Sequence, residues 1–200
     1  MTSVITGDII NSKEHQPKIW LDALKKTLTR YGDTPEHWEI YRGDSFQLEL
    51  NPDNALEAAI LIKASLKQFK KMDVRLAIGI GEKTYSSKHI TESNGSAFVN
   101  SGECFEQLKK TTLAIKSPFN EFDIQLNLML ELALLTLTNW TPKMSLLVKA
   151  SLEHPSFNQQ QLAELFGETQ GNISQVLKRA GYDELTKLIQ YYNAQIQSLC

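Results

Sequence analysis

The first half of the chain alternates between strand-like and helix-like hydrophobic patterns. β-branched or alternating apolar positions predict four strands. These are Ser3–Ile10, Trp38–Tyr41, Ser45–Leu50 and Val74–Gly81. Apolar residues at helical spacing predict one helix that begins at Pro17 and a second that is opened by Asn51-Pro52-Asp53. The order is β-α-β-β-α-β, so we expect an α+β domain of the ferredoxin-like or palm type.

The pattern continues after a polar segment over 84–95, which is predicted to be a loop. We predict a helix over Ala97–Lys110, a short strand over Leu113–Lys116 and a long helix over Glu121–Asn139. The long helix is apolar around most of its circumference, which predicts burial on several sides. Packing against its own sheet would provide that burial, and a contact in a dimer is the alternative.

Thr141-Pro142 is the predicted boundary between two domains, because a proline there starts a new segment after a helix. Beyond it the chain shows little strand pattern. Four helices are predicted, over Ser145–Leu152, Asn158–Phe166, Gln170–Ala180 and Asp183–Leu199. We therefore expect a palm-like domain over 1–140, followed by a small all-α domain over 142–200.

The residues from Asn158 to Gly181 have the layout of a helix-turn-helix. Gly167 marks the tight turn between two short helices, and Gly181 is expected to end the second helix. The inner faces of the two helices are predicted to consist of Leu162, Ala163, Leu165, Ile173, Val176 and Leu177. Amide side chains read adenine edges and cations hold phosphates, so we expect the second helix to contact DNA. The predicted contact residues are Gln170, Asn172, Ser174, Gln175, Lys178 and Arg179. The alternative is a small helical bundle whose polar face contacts another protein.

Composition limits the partners that such a chain can have. With 42% hydrophobic and 22% charged residues, it has enough apolar material for a buried core. The net charge of −2 gives no general attraction for DNA, so we expect a local basic patch and a homodimer that offers two recognition helices.

The sequence shows neither a signal peptide nor an apolar run of the about 20 residues that span a bilayer. Cys104 and Cys200 lie far apart without CxxC spacing, which fits a cytoplasmic protein with no membrane partner.

Two aspartates are predicted to lie near each other. Asp8 ends the first predicted strand, and Asp44 belongs to the Arg42-Gly43-Asp44 hairpin. In a β-α-β-β-α-β sheet the third strand lies between the first and the second, so both aspartates are expected at one rim. Adjacent carboxylates are costly unless a cation lies between them or one is protonated, and Mg²⁺ prefers such oxygen ligands. The sequence therefore predicts a magnesium site at Asp8 and Asp44, and the alternative is that both only shape turns.

Four segments carry a resemblance to a known family. VITGDIINS, RGDSFQLEL, VRLAIGIG and GSAFVNSGECFEQL, in this order within residues 1–116, resemble the SatD-type bacterial proteins and, more distantly, the palm core of class III nucleotidyl cyclases. The resemblance implies that Asp8 and Asp44 hold a metal, that Ser12 faces nucleotide phosphates and that Asn100 faces the ribose. The chain departs from the cyclase pattern at Ile40, where a lysine reads the base, and at Cys104, where an arginine stabilises the developing charge.

Three functions are compatible with these features. The first is a DNA-binding transcriptional regulator whose palm-like domain binds a nucleotide or metal or makes a dimer. The second is a Mg²⁺-dependent nucleotidyl cyclase or transferase, and the third is a non-catalytic scaffold that dimerises. Because the metal-binding half of the cyclase pattern is present and its catalytic half is absent, the regulator is the interpretation that we carry forward.

Overall fold

The computed structural model describes residues 1–199, which contain a five-stranded mixed sheet and eight α-helices. The strands are β1 (Thr2–Ile10), β2 (Trp38–Tyr41), β3 (Ser45–Leu50), β4 (Asp73–Gly81) and β5 (Leu113–Lys116). The helices are α1 (Pro17–Leu28), α2 (Ala55–Lys67), α3 (Ser96–Gln107), α4 (Asn120–Leu137), α5 (Pro142–Glu153), α6 (Gln159–Phe166), α7 (Gln170–Arg179) and α8 (Tyr182–Leu199).

Each strand and helix predicted from the hydrophobic pattern is present. Helix ends differ by a few residues: α5 begins at Pro142 rather than Ser145, and α3 ends at Gln107 rather than Lys110. The segment over 84–95, predicted to be a loop, contains one isolated bridge between Tyr85 and Asn94 and a short 3-10 turn. Among residues 1–199, no helix combines the length and the hydrophobicity required to cross a bilayer.

The sheet has the strand order β2-β3-β1-β4-β5. β1 runs antiparallel to both of its neighbours, β3 and β4, whereas β5 runs parallel to β4. β2 is also antiparallel to β3, so β1 and β2 run in the same direction with β3 between them. The end of β1 and the β2–β3 hairpin consequently lie at the same rim of the sheet.

Both faces of the sheet are covered by helices, because successive side chains of a strand point to opposite sides. Ile5 and Ile9 belong to the main hydrophobic core together with Trp20 of α1. Val4 belongs to a second cluster with Phe98 of α3. The sheet therefore separates the layer that contains α1 and α2 from the layer that contains α3.

α3 lies unusually close to β4, and two glycines make this possible. A Cβ atom at Gly79 would lie 2.2 Å from the backbone nitrogen of Ser101, and one at Gly81 would lie 2.6 Å from that of Ala97. Both contacts involve helix backbone, which cannot rotate away as a side chain can. The glycines of the VRLAIGIG segment thus serve helix–strand packing.

α2 is the central helix of the protein. Every residue of α2 except Glu57 is buried, because the sheet covers one side and the C-terminal helices cover the other. Two buried lysines of α2 share the carboxylate of Asp73: Lys63 Nζ lies 2.7 Å from Oδ1 and Lys67 Nζ lies 3.2 Å from Oδ2. Burial lowers the pKa of Lys63, and Asp73 acts in the opposite direction. The helix with the most complete burial is therefore α2 and not the long apolar helix α4.

The C-terminal helices pack onto the sheet-containing part through one continuous core. Tyr192 of α8 donates a hydrogen bond to the carbonyl oxygen of Pro52 at 2.8 Å, and Lys67 donates to that of Thr138 at 3.1 Å. The indole Nε1 of Trp140 donates to the carbonyl oxygen of Ala180 at 2.9 Å. The division into domains over 1–140 and 142–200 stays a prediction, since the two segments share buried side chains.

We predict that Gly79→Ala lowers the free energy of unfolding by about 1–3 kcal/mol, because the added methyl group overlaps the backbone of α3. The matched control is Gly102→Ala, at an α3 position where an added Cβ meets nothing within 4 Å. This control should be neutral or more stable by up to about 1 kcal/mol, since alanine favours helix. Urea unfolding of both variants measures the difference, and equal effects would contradict the close helix–strand contact.

Candidate functional site

The two predicted metal-binding aspartates lie at one rim of the sheet. Asp8 is paired with Ser45 in the β1–β3 register, and the backbone N–H of Ile9 donates to the carbonyl oxygen of Asp44 at 3.1 Å. The two residues are therefore near neighbours on adjacent strands, although 35 residues separate them in the sequence. We refer to this end of the sheet, with Asp8, Asp44 and the segments around them, as the rim.

Each carboxylate at the rim already has partners within the chain. The Arg75 guanidinium donates to Oδ2 of Asp8 at 2.6 Å, and the Ser45 hydroxyl donates to Oδ1 at 3.4 Å. The Ser12 hydroxyl donates to Oδ2 of Asp44 at 2.8 Å. Arg75 also stacks over the ring of Phe105, at 5.3 Å from its centroid. The charge of Asp8 is thus neutralised by an arginine, whereas Asp44 has only a hydroxyl group.

These residues fit a resident Mg²⁺ ion only in part. Asp44 and Ser12 place oxygen atoms side by side, as a magnesium ion requires. A cation at Asp8, however, would meet the positive charge of Arg75. Within residues 1–199, no group of three or more His, Cys, Asp or Glu side chains is arranged to hold a metal.

The backbone at the rim adopts conformations that most residues avoid. The non-glycine residues with positive φ in the described chain are Asn11 (62°), Arg42 (53°) and Lys71 (64°), and all three belong to loops at this end of the sheet. Asn11 Nδ2 donates to the carbonyl oxygen of Lys71 at 2.8 Å, which joins two of these loops. His15 Nε2 donates to that of Lys70 at the same distance. Backbone strain of this kind is concentrated at binding sites, which directs attention to the rim.

Asn100, the predicted ribose contact, lies elsewhere. Its Nδ2 donates to the carbonyl oxygen of Ile80 at 2.8 Å. Ile80 is five residues beyond Arg75 in β4, so these two residues are roughly 16 Å apart along the strand. The structure brings Ser12 to Asp44 but does not bring Asn100 to either of them in one chain.

Cys104 occupies the position at which the resemblance to cyclases places an arginine. It is buried and free, and burial raises the pKa of its thiol to about 11. At neutral pH the group is therefore a protonated thiol, which is neither a cation nor an effective nucleophile. Cys200 lies outside the described residues.

The second candidate region is the pair of helices α6 and α7. The three residues 167–169 connect them, and Gly167 has the positive φ (62°) that ends α6. Asn158 and Gln161 form a reciprocal capping box at the start of α6, with both hydrogen bonds at 2.9 Å. Thr169 caps α7 by accepting a hydrogen bond from the backbone of Asn172 at 3.2 Å.

α7 has one buried face and one exposed face. Ile173, Val176 and Leu177 are buried against the neighbouring helices. The predicted DNA contacts Gln170, Gln175, Lys178 and Arg179 are exposed, and Asn172 and Ser174 are half-buried. The predicted inner-face residue Leu165 is instead 55% exposed, because the inner side of α6 is formed by Leu162, Ala163 and Phe166.

The side chain of Asn172 makes a hydrogen bond within the chain that was not predicted from the sequence. Its side-chain amide donates to the carboxylate of Glu168, which also forms an ion pair with Lys143. The contact with Lys143 lowers the pKa of Glu168, so this carboxylate is charged at neutral pH. A negative charge therefore lies just before α7, and Lys143 partly cancels its effect.

No protein-family model, no curated protein and no solved structure matches this chain. The function of each candidate region is therefore inferred from its own side chains and their geometry.

We predict that Arg75→Gln makes the rim responsive to Mg²⁺. With the guanidinium removed, a divalent cation can neutralise Asp8, so millimolar Mg²⁺ should raise the thermal unfolding midpoint of the variant more than that of the wild type. Lys83→Gln is the matched control, because it breaks the Lys83–Glu49 ion pair near the other end of β1. Thermal unfolding with and without Mg²⁺ measures the effect. A larger Mg²⁺ response in the wild type than in Arg75→Gln would show that the ion binds without displacing the arginine.

Proposed function

We propose that this chain is a DNA-binding regulator with a ferredoxin-like, palm-type N-terminal part, in which α6 and α7 form a helix-turn-helix and α7 enters the major groove. The proposal keeps the resemblance to the SatD-type proteins as a guide to the N-terminal part. The observation that carries it is the chemistry of the exposed face of α7.

That face has the side chains that DNA recognition uses. Gln170 and Gln175 offer amides for base edges, and Lys178 and Arg179 offer cations for phosphates. No acidic residue lies between Gln170 and Arg179. Gly171, in the first turn of α7, leaves open space, so the start of the helix backbone can come close to a groove. With 10 residues, α7 is about 15 Å long, which suits a groove about 12 Å wide.

Hydrogen bonds hold α7 at both of its ends, which favours recognition over loose electrostatic contact. The capped connection 167–169 fixes α7 against α6, and the buried hydrogen bond between Trp140 and Ala180 fixes its end. α8, in contrast, has Asp183 and Glu184 in its first turn and would repel phosphates there. α7 is thus the helix of this segment with the better DNA-binding surface.

One copy of α7 provides few contacts in a chain of net charge −2. We therefore include a homodimer in the proposal, because two recognition helices can occupy successive major grooves on one side of the duplex. Two copies also double the number of phosphate contacts and hence the dependence of binding on salt.

We predict that Lys178→Ala with Arg179→Ala weakens DNA binding for all sequences. The slope of log affinity against log salt should become less steep by up to about 2 for each chain, since each lost phosphate contact contributes about 0.9. Electrophoretic shift or fluorescence anisotropy over a series of salt concentrations measures both quantities.

The matched control for this experiment is Lys25→Ala with Lys26→Ala, which removes the same charge from exposed positions of α1. The control should retain the affinity and the salt slope of the wild type. Equal losses in the two double variants would mean that general charge, and not α7, determines binding. An absence of any DNA shift by the wild type would reject the proposal.

A second function is favoured by one observation at the rim. The loops that carry the Ser12–Asp44 contact and its neighbours contain the exposed cations Lys13, Arg42 and Lys71 and the exposed acid Glu14. This excess of cations suits a phosphate-bearing ligand such as a nucleotide that arrives with its own Mg²⁺. Asn100 lies too far away to contact the same ligand in one chain, and Cys104 supplies no positive charge. These two features favour nucleotide binding over a nucleotidyl cyclase or transferase reaction.

We predict that Asp44→Asn abolishes binding of Mg²⁺-nucleoside triphosphate, because Asp44 is the rim aspartate that is not paired with an arginine. Asp33→Asn, the same change at an exposed loop position, should bind as the wild type does. Isothermal titration calorimetry with a panel of triphosphates provides the measurement. If the wild-type chain binds none of these triphosphates, nucleotide binding at the rim is rejected and the N-terminal part is a scaffold.

A further inference from the structure

α4 has two apolar faces on opposite sides of the helix. The inner face is buried in the core and consists of Phe122, Leu126, Leu130, Leu134 and Leu137. The outer face consists of Ile124, Leu128, Leu132 and Leu135, which are 64%, 60%, 60% and 70% exposed. At 100° per residue these four side chains fall within one quarter of the helix circumference, opposite the buried face. We call this row of four residues the α4 stripe.

An apolar groove continues the α4 stripe towards α8. It is a cavity of about 560 Å³ between α4 and the end of α7 and start of α8, and its apolar lining includes Leu132, Ala133 and Leu188. Lys178 and Arg179 lie along its other side. The stripe and the groove together make a surface on which large aliphatic side chains are exposed in one continuous row, which isolated domains rarely show.

We propose that the α4 stripe and the apolar lining that α4 and α8 give this groove form the contact between two copies of the chain. α4 has 18 residues and is about 27 Å long. With α8 roughly 10 Å away, the two helices present a strip on the order of 500 Å² in projection. A biological interface buries at least roughly 500 Å² on each partner, so the surface matches the lower end of the size range for a specific pair.

The chemistry of the stripe favours a second copy over another occupant. Its four members are uncharged, and the exposed acids of α4, Glu121 and Glu131, lie at its margins. The groove beside it has one acid, Glu184, on the side that also carries Lys178 and Arg179. Two identical stripes can therefore meet around a twofold axis without bringing like charges together at the centre. DNA or an acidic protein would instead be attracted to Lys178 and Arg179, which line the opposite side of the groove and do not belong to the apolar contact surface.

The contact does not depend on the DNA-binding proposal, but it would determine how two copies present α7. The groove is lined by α4 on one side and by the end of α7 on the other, so a pair joined through α4 holds both α7 helices at fixed positions relative to the contact.

Sedimentation equilibrium of the full chain tests the proposal. The wild type is expected to have twice the mass of one chain at micromolar concentration. Leu128→Glu with Leu135→Glu should give single chains, with the dimer dissociation constant raised at least about a hundredfold, because charges would then face each other in the contact. The matched control is Ile19→Glu with Val99→Glu, which changes residues of α1 and α3 that are 54% and 50% exposed and should leave the dimer intact.

A second variant separates loss of the contact from loss of the fold. Leu128→Gln with Leu135→Gln keeps good helix formers at exposed positions and should also give single chains, with circular dichroism and thermal midpoint unchanged. A wild type that sediments as one chain at all concentrations, or glutamate and glutamine variants that remain dimers, would overturn the proposal.

DNA binding measured on the same samples keeps the two proposals apart. A wild-type dimer that shifts no DNA would preserve the α4 contact and reject the role of α7. A wild-type single chain that shifts DNA would reject the α4 contact and preserve the role of α7.

Discussion

The burial of α2 is the constraint on which the rest of the structure depends. Lys63 has a fully buried side chain that is satisfied by Asp73, by the carbonyl oxygen of Val74 and by the hydroxyl of Thr112. A shift of α2 by one residue would leave this charge buried without a partner, at a cost of several kcal/mol. A buried ion pair adds little net stability, but it does select one position of the helix. That position fixes the start of β4, on one side, and the surface that receives α5, on the other.

Both candidate regions are positioned by contacts that lead back to α2. The loops of the rim hydrogen-bond to the turn that follows α2, through Asn11 and His15. On the opposite side, α5 packs against α2, and α6 and α7 pack against α5. The connection between α4 and α5 is short, and its neighbours Thr138 and Trp140 are tied to α2 and α7. The α6–α7 pair is therefore packed onto the sheet-containing part through α5, and the direction of α7 relative to the outer face of α4 is set by packing.

The local hydrophobic pattern was sufficient to predict the strands and helices. It failed to predict contacts that depend on strand register or on which layers cover a helix. The strand and helix positions, the turn at Gly167 and the exposed face of α7 follow from spacing within a few residues of each other. Arg75 was not predicted as the partner of Asp8, because that pairing requires the β1–β4 register over 67 residues. The long apolar pattern of α4 predicted burial on several sides, yet the alanine-rich helix α2 is the one enclosed, since small residues allow close packing on both sides.

The position of Arg75 also decides what the rim can attract. Two bare carboxylates would make it a cation site, as the sequence suggested. With Asp8 neutralised at 2.6 Å, the acids Asp44 and Glu14 share the rim loops with Lys13, Arg42 and Lys71, so cations outnumber the remaining acids there. Phosphate oxygens are drawn to such a surface, whereas a free divalent cation is not, unless it arrives with a phosphate group. Arg75 therefore disfavours a resident metal ion at Asp8 and makes an anionic ligand the better chemical match for this end of the sheet.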